Sequence, residues 1–329
     1  MEFGPIPVAA ARGAILAHSL DLTSGRLRKG RVLTCEDQAL LRADGVATVI
    51  AARLSPGDLH EDAAATRIAA AVAGQGLRVT QAATGRVNLH ATGPGIVRVD
   101  RSAVNALNAV DPMITLATVP EWHRADPDGM VGTVKIIAYG VAADAVERAA
   151  EAGAGALSLV PPVVQTVTLI ETTTTDTDPN PKGREAMRGR LDRFGVALTD
   201  RVVVPHRSDA IADALISAAG DVVMILTASA TSDIHDVAPS AVALAGGRVD
   251  RFGMPVDPGN LLFIGVMGSK PVIGLPGCAR SPALNGADWV LERVLCGVAV
   301  NGADIAGMGV GGLLKEIPTR PSPRRIPTD

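Results

Sequence analysis

From residue 163 onward the apolar residues switch repeatedly between a period of two and a helical period, with a glycine closing most helical stretches. VQTVTLIETT reads as a strand, Arg184 to Phe194 as a helix stopped by Gly195, and VALTDRVVVPH as a strand. Ser208 to Ala219 is a helix stopped by Gly220, DVVMILTA a buried strand, and Val237 to Ala245 a helix ending at Gly246 and Gly247. Such alternation implies parallel strands joined by right-handed crossovers, because only that hand packs each helix back onto the sheet. The expected fold is α/β, a three-layer αβα sandwich with a mostly parallel sheet. GGRVDRFGMPVDPGNLLFIG adds two antiparallel strands, KPVIGLPG a last strand, and Ser281 with Pro282 predicts the start of the final helix.

The first half is less regular and predicts a smaller α+β domain. Residues 5 to 20 look helical, with Val8, Ala11, Ile15 and Leu16 at near-helical spacing, and Leu27 to Leu33 predicts a strand inside the basic stretch RLRKGRVL. EDQALLRADGVATVIAARL reads as helix, Gly45 stop, strand. Asp58 to Gly74 is a helix with Asp58 as cap and Glu61 as its capping-box partner. GIVRVD and MVGTVKIIAYGV are strand-like around a helical SAVNALNAV, and residues 141 to 156 form a further helix before Val160, Pro161 and Pro162. With 329 residues, two cores are the natural division: residues 1–158, residues 159–312, and a Pro/Arg-rich tail at 313–329.

A formal net charge of -3 with interspersed signs gives no basic face for nucleic acid and no polybasic membrane anchor. Cys35, Cys278 and Cys296 show no CxxC or Cys/His spacing and read as reduced thiols. The opening stretch lacks a basic n-region, and apolar runs such as Val222 to Leu226 are strand-length, so a cytoplasmic protein is expected.

Ligands of open α/β sheets sit beyond the strands' carboxyl ends. On this topology three loops converge there: ETTTTDTDPNPKG, TASATSDIHD and LPGCARSP. The last would present a helix N-terminus beside Arg280, which suits phosphate, and an acidic cluster opposite suits Mg²⁺. Asp178 and Asp236 also fit as turn former and helix cap, and His206 and His235 as general bases or surface histidines. Ser/His/Asp and Walker-loop spacings are missing.

GMPVDPGNLLFIGVMGSKPVIGLPGCARSPALNGADWVLERVL resembles the signature of the molybdopterin-binding domain shared by MoeA and MogA, a Lys-Pro-Gly-Lys-Pro element before a Leu-Pro-Gly-Asn-Pro-Val-Ser loop. Pro258 and Gly259 match the first element; Leu275, Pro276 and Gly277 match the second. DVVMILTASATSDIHDVAP is similar to the family's strand, loop and following acidic residue, which falls on Asp236. PVAAARGAILAHSL and MVGTVKII resemble the amino-terminal part of MoeA loosely. Ala228 and Ser229 replace the family's glycine pair, Cys278, Ala279 and Arg280 its Asn-Pro-Val run, and Val256 and Asp257 precede Pro258 where a Lys is usual. The pattern looks most like a bacterial subgroup often fused to a molybdenum cofactor nucleotidyltransferase.

The resemblance implies binding of molybdopterin or adenylylated molybdopterin in cofactor biosynthesis, assisting molybdate insertion or adenylyl transfer with ATP or molybdate as co-substrate. The alternative is a non-catalytic carrier or sensor serving a nucleotidyltransferase or apoenzyme. Asp236 and Asp233 are the expected catalytic carboxylates, and Asp236 with Asp176 the expected Mg²⁺ ligands. Thr173, Thr227, Ser229, Thr231, Pro276, Gly277, Arg280 and Ser281 are expected to bind the ligand, in a homo-oligomer.

Overall fold

The structure, a computed structural model, describes residues 1–314. The expected tail lies outside the described residues from position 315 onward. The chain divides into two compact units, one of Met1–Gly93 with Val97–Val160, the other of Pro94–Ile96 with the chain from Pro161.

In the first unit the opening segment is extended where a helix was expected. Glu2–Pro7 is a strand, Val8–Ala10 a single 3-10 turn and Ile15–Leu16 a second strand. Pro5 and Pro7 cannot donate to a helical ladder, and Gly13 takes a φ of 78°. Val8, Ala11, Ile15 and Leu16 are nonetheless all buried. Thr48–Arg53 lies between the two strands and runs antiparallel to both. Helix Cys35–Ala43 leads into it through Gly45 at φ 73°, as the sequence implies.

The strand expected over Leu27 to Leu33 shrinks to Gly25–Leu27, hairpinned with Leu20–Leu22. The next helix begins at Glu61, and its cap is His60, whose Nδ1 accepts the Asp62 N–H at 3.3 Å. Asp58 instead sits in a strand and accepts the Ser55 N–H at 2.7 Å, so its carboxylate is held away from the helix end. A four-stranded antiparallel sheet runs in the order Ile114–Thr118, Met130–Ile136, Arg86–Ala91, Leu77–Val79. Ile68, Val72, Leu89, Leu107, Val134, Ile136, Val146 and Leu157 form the core that joins this sheet to its helices.

The second unit is a mixed α/β assembly on one seven-stranded mixed sheet. Its elements are β1 (Thr166–Thr173), α1 (Lys182–Asp192), β2 (Val202–Pro205), α2 (Ser208–Ser217), β3 (Val222–Leu226) and α3 (Val237–Leu244). They are followed by β4 (Arg248–Phe252), β5 (Phe263–Met267), β6 (Lys270–Gly274) and α4 (Gly286–Leu295). β1 pairs in parallel with β2, with β3 and with the short strand Ala197–Leu198. β6 continues the parallel set beside β3, while β5 and β4 close the far edge antiparallel.

Ile170, Val223, Ile225 and Val272 pack with α2 and α3 around Ile211, Leu215 and Val242. Their alternates Leu169, Met224 and Ile273 point the other way and are also buried, which accounts for the continuous apolar runs of these strands. The final long helix starts at Gly286 where Ser281 was expected to cap it, because Asn285 and Asp288 form a reciprocal capping box there. A further short helix, Gly302–Gly307, capped by Asn301, was not expected.

Gly274 ends β6 directly against the Phe263 ring: a Cβ there would stand 1.9 Å from a ring carbon. Gly274→Ala is expected to destabilise the protein by roughly 1–3 kcal/mol through overpacking, read as a lower urea midpoint, and Phe263→Leu in the same chain should restore part of the loss. An unchanged midpoint for the single variant contradicts this packing.

Candidate functional site

Parallel register brings the carboxyl ends of the central strands level, with Glu171 opposite Leu226 and Ile225 opposite Gly274. The loops that begin at Thr173, Thr227 and Leu275 therefore leave the sheet at one edge, as the sequence implied. Successive residues of a strand face opposite sides, so Glu171 and Thr172 divide that edge into two environments.

On the first side, Glu171 is 1% exposed. Arg201 holds it through paired hydrogen bonds, Nε to Oε2 at 2.9 Å and Nη2 to Oε1 at 3.2 Å. The same guanidinium reaches Asp178 at 3.3 Å and donates to the Pro179 carbonyl at 2.7 Å, tying the long loop to the strand. Arg280 donates to the Thr227 carbonyl at 2.7 Å. Gly183, in the first turn of α1, permits close approach: a Cβ there would lie 2.8 Å from Leu226 and 3.4 Å from Arg280.

Between these groups lies a cleft of about 250 Å³ lined by Glu171, Asn180, Lys182, Gly183, Leu226 and Arg280. Burial pulls the Arg280 pKa down and the charge of Glu171 works against it; a guanidinium stays cationic under both influences. Arg201 is shared between Glu171 and Asp178, so Arg201, Lys182 and Arg280 against these two carboxylates, three cations less two, leave one surplus positive charge. The opening turn of α1 adds N–H groups of the same electrostatic sign.

On the second side, the Thr172 hydroxyl accepts the Ala228 N–H at 2.7 Å and shares a 3.0 Å hydrogen bond with His206 Nδ1. Asp236 accepts Val237 N–H at 2.7 Å and Ser232 N–H at 2.9 Å, and so caps α3. The Ser232 and Val237 N–H groups hold its carboxyl below the usual carboxylate range; burial opposes them, and His206 adds a smaller pull in their direction. Asp233 accepts the His235 N–H at 2.8 Å and is exposed, as is Asp176 in its loop. Among the described residues no group of three or more His, Cys, Asp or Glu side chains is placed to share a metal ion.

Of the residues expected to bind a ligand, Arg280 alone lines the cleft, and Thr227 meets it only by accepting from the Arg280 guanidinium at its carbonyl. The Thr227 hydroxyl donates to the Ser229 carbonyl at 2.6 Å and lies 3.5 Å from the Thr231 hydroxyl, which orders the loop from within. Thr173 does likewise, its hydroxyl 3.0 and 2.9 Å from the carbonyls of Thr175 and Thr177. Pro276 is buried and Gly277 opens a 3-10 turn, Gly277–Arg280, in place of a helix terminus. Ser281 is exposed just after it. Arg190 braces this segment, donating to the carbonyls of Ala279, Ser281 and Ala283 at 3.2, 2.9 and 3.1 Å while pairing with Asp288.

Glu171, Asn180, Lys182, Arg190 and Arg201 were not singled out from the sequence. Glu171 left a usable signal, as the one acidic residue of an otherwise apolar and threonine strand. Arg190 left none, because an arginine in a charged helix looks like any solvated one.

Arg190→Ala would leave Asp288, 4% exposed, without its ionic partner. A loss of roughly 3–5 kcal/mol in chemical denaturation is expected; a loss under about 1 kcal/mol contradicts the bracing role. Asp236→Ala is expected to cost about 1 kcal/mol as a lost cap. Because the folded pKa of Asp236 is lowered, that contribution is complete above its ordinary value, near ~3.9, and fades as pH falls through the folded one. Wild type and Asp236→Ala should thus differ by a constant amount at neutral pH and converge in strong acid, measured by denaturation at a series of pH values.

A family model described as a domain of unknown function (DUF8806) matches residues 5–53. No curated protein matches the chain. Among solved structures, the molybdopterin biosynthesis MoeA protein of Pyrococcus horikosii is similar at 15% identity with a TM-score of 0.32, over 89% of this chain and 75% of that one. A molybdenum cofactor biosynthesis protein of Pyrococcus furiosus is similar at 16% identity with a TM-score of 0.24, over 93% of this chain and 65% of its own. Molybdenum cofactor biosynthesis protein B is similar at 16% identity with a TM-score of 0.28, over 40% of this chain and 88% of that one.

Proposed function

We propose that the unit from Pro161 binds molybdopterin or its adenylylated form, and that the chain assists molybdate insertion or adenylyl transfer in molybdenum cofactor biosynthesis. The observation that carries this reading is the Lys182–Arg280 cleft at the carboxyl edge of the sheet. It places surplus positive charge in the loop whose Leu275-Pro276-Gly277 element resembles the molybdopterin-binding signature. A phosphate monoester suits it: Arg280 donates to Thr227 and retains further N–H donors, Lys182 adds a point charge, and Leu226 offers an apolar wall. Magnesium belongs to this reading as an ion taking Asp236 or Asp176 and the ligand's phosphate oxygens; among the described residues no group of three or more His, Cys, Asp or Glu side chains is placed to share one. The three-layer αβα description, the boundary at 158/159, a homo-oligomeric state and a cytoplasmic setting are parts of the same proposal. Among the described residues no helix is long and apolar enough to cross a membrane.

One observation favours a second reading, a non-catalytic carrier or sensor that hands the cofactor to a nucleotidyltransferase or an apoenzyme. Asp236, the carboxylate expected to act in the reaction, is engaged at both oxygens as the cap of α3.

Fluorescence titration with molybdopterin tests the site. Arg280→Ala and Lys182→Ala should each weaken binding roughly tenfold, as expected for a lost charge-assisted contact, with Asp236→Ala close to wild type. Unchanged affinity in both cation variants refutes the assignment. Transfer of AMP from ATP, or insertion of molybdate, by the wild-type chain selects the catalytic reading; tight binding without turnover selects the carrier.

A further inference from the structure

The amino-terminal unit carries its own cleft, of about 690 Å³, with a one-sided charged lining: Arg26, Arg28, Lys29 and Lys135 against Glu61 alone. Lys135 donates to the Thr84 carbonyl and stands 3.8 Å from Glu61, so those two charges form a local pair. Arg26 lies 3.6 Å from Asp21, but both side chains are mostly exposed and such a pair contributes little. Counting Asp21 as well, four cations less two carboxylates leaves +2 at this cleft, in a chain whose formal net charge is -3.

The basic run RLRKGR is sorted by the fold. Arg31 is held by the buried Asp37 at 2.9 Å, where the Arg31 and Thr34 bonds outweigh the opposing effect of burial on the carboxyl. Arg26, Arg28 and Lys29 line the cleft. The turn that carries them is fixed by backbone: Gly30 N–H donates to Leu16 at 2.8 Å, Leu16 N–H to Arg31 at 2.9 Å, and Gly25 and Gly30 take φ of 126° and 84°. Lys29 N–H donates to the Ser19 hydroxyl at 3.0 Å, which leaves that hydroxyl's proton for another acceptor. Tyr139, which also lines the cleft, is anchored through its hydroxyl to the Ala17 carbonyl at 3.1 Å. Like charges held together on a rigid turn repel unless an anion joins them.

We propose that this cleft binds a small molecule bearing two or more phosphoryl charges, with Arg28 and Lys29 as its principal contacts. The volume falls within the range of roughly 300–1,000 Å³ usual for small-molecule sites. Arg26, Arg28 and Lys29 come from one short stretch and Lys135 from a separate strand, so the cations gather around one cleft and make no extended stripe of the kind that tracks a nucleic-acid backbone.

Calorimetric titration of inorganic pyrophosphate, in magnesium-free buffer, into the full chain carrying Arg280→Ala and Lys182→Ala isolates this cleft from the one proposed for the other unit. Saturable binding near one per chain is expected, falling as salt rises. Adding Arg28→Ser and Lys29→Ser should weaken it by roughly tenfold or more, with the thermal midpoint unchanged because both side chains are exposed. ATP binding more tightly than pyrophosphate would assign the source as a nucleotide, and equal affinities a bare diphosphate; either supports the class. Absence of saturable binding, indifference to the Arg28/Lys29 changes, or inorganic phosphate binding as tightly as pyrophosphate overturns the proposal.

Discussion

A carboxylate at the end of a strand buried inside a sheet has to be neutralised where it stands, since an unpaired buried charge is among the costliest features a fold can carry. Glu171 is in that position, and Arg201 meets the requirement with a fork of hydrogen bonds. The arginine also gathers Asp178 and the Pro179 carbonyl, so one charge requirement fixes both the strand end and the loop beyond it. What remains of the local charge is positive and belongs to Lys182 and Arg280. The character of the cleft thus follows from how Glu171 is satisfied.

Much of the second unit's architecture was legible because buried parallel strands and amphipathic helices leave different periods in the sequence. Strands β1, β3 and β6, helices α1, α2 and α3, and the antiparallel insert all stand close to where the apolar pattern puts them, while the single strand expected over VALTDRVVVPH breaks into Ala197–Leu198 and β2 at the polar Thr199, Asp200 and Arg201. The opening segment misled, because buried positions spaced as on a helix also arise when strand and 3-10 turn alternate around Pro5, Pro7 and Gly13. The helix expected at Ser281 failed for a local reason: a second cap residue, Asn285, lies four residues on, and its reciprocal box with Asp288 prevailed over Ser281 and Pro282.

The candidate site was legible at the level of loops and less so at the level of side chains. Topology alone places three strand-end loops together, and Arg280 stands in the resulting cleft. Sequence cannot reveal that Thr173, Thr227, Asp233 and Asp236 satisfy backbone groups of their own loops, since hydroxyls and carboxylates look the same whether they bind a ligand or a neighbouring peptide. Nor can it pair Glu171 with Arg201 or Arg190 with Asp288, which meet only once the chain is folded.

Arg190 addresses the segment from Ala279 to Ala283 through carbonyl oxygens alone. Carbonyls are common to every residue type, so this brace fixes the path of the chain through groups that do not depend on which side chains the segment carries. The exposed positions there, Gly277 just before the segment and Ser281 within it, can therefore vary in side chain while the brace keeps its acceptors. The scaffold separates shape from chemistry at this point: Arg190 holds the course of the chain, and Arg280 brings the guanidinium to the sheet's edge.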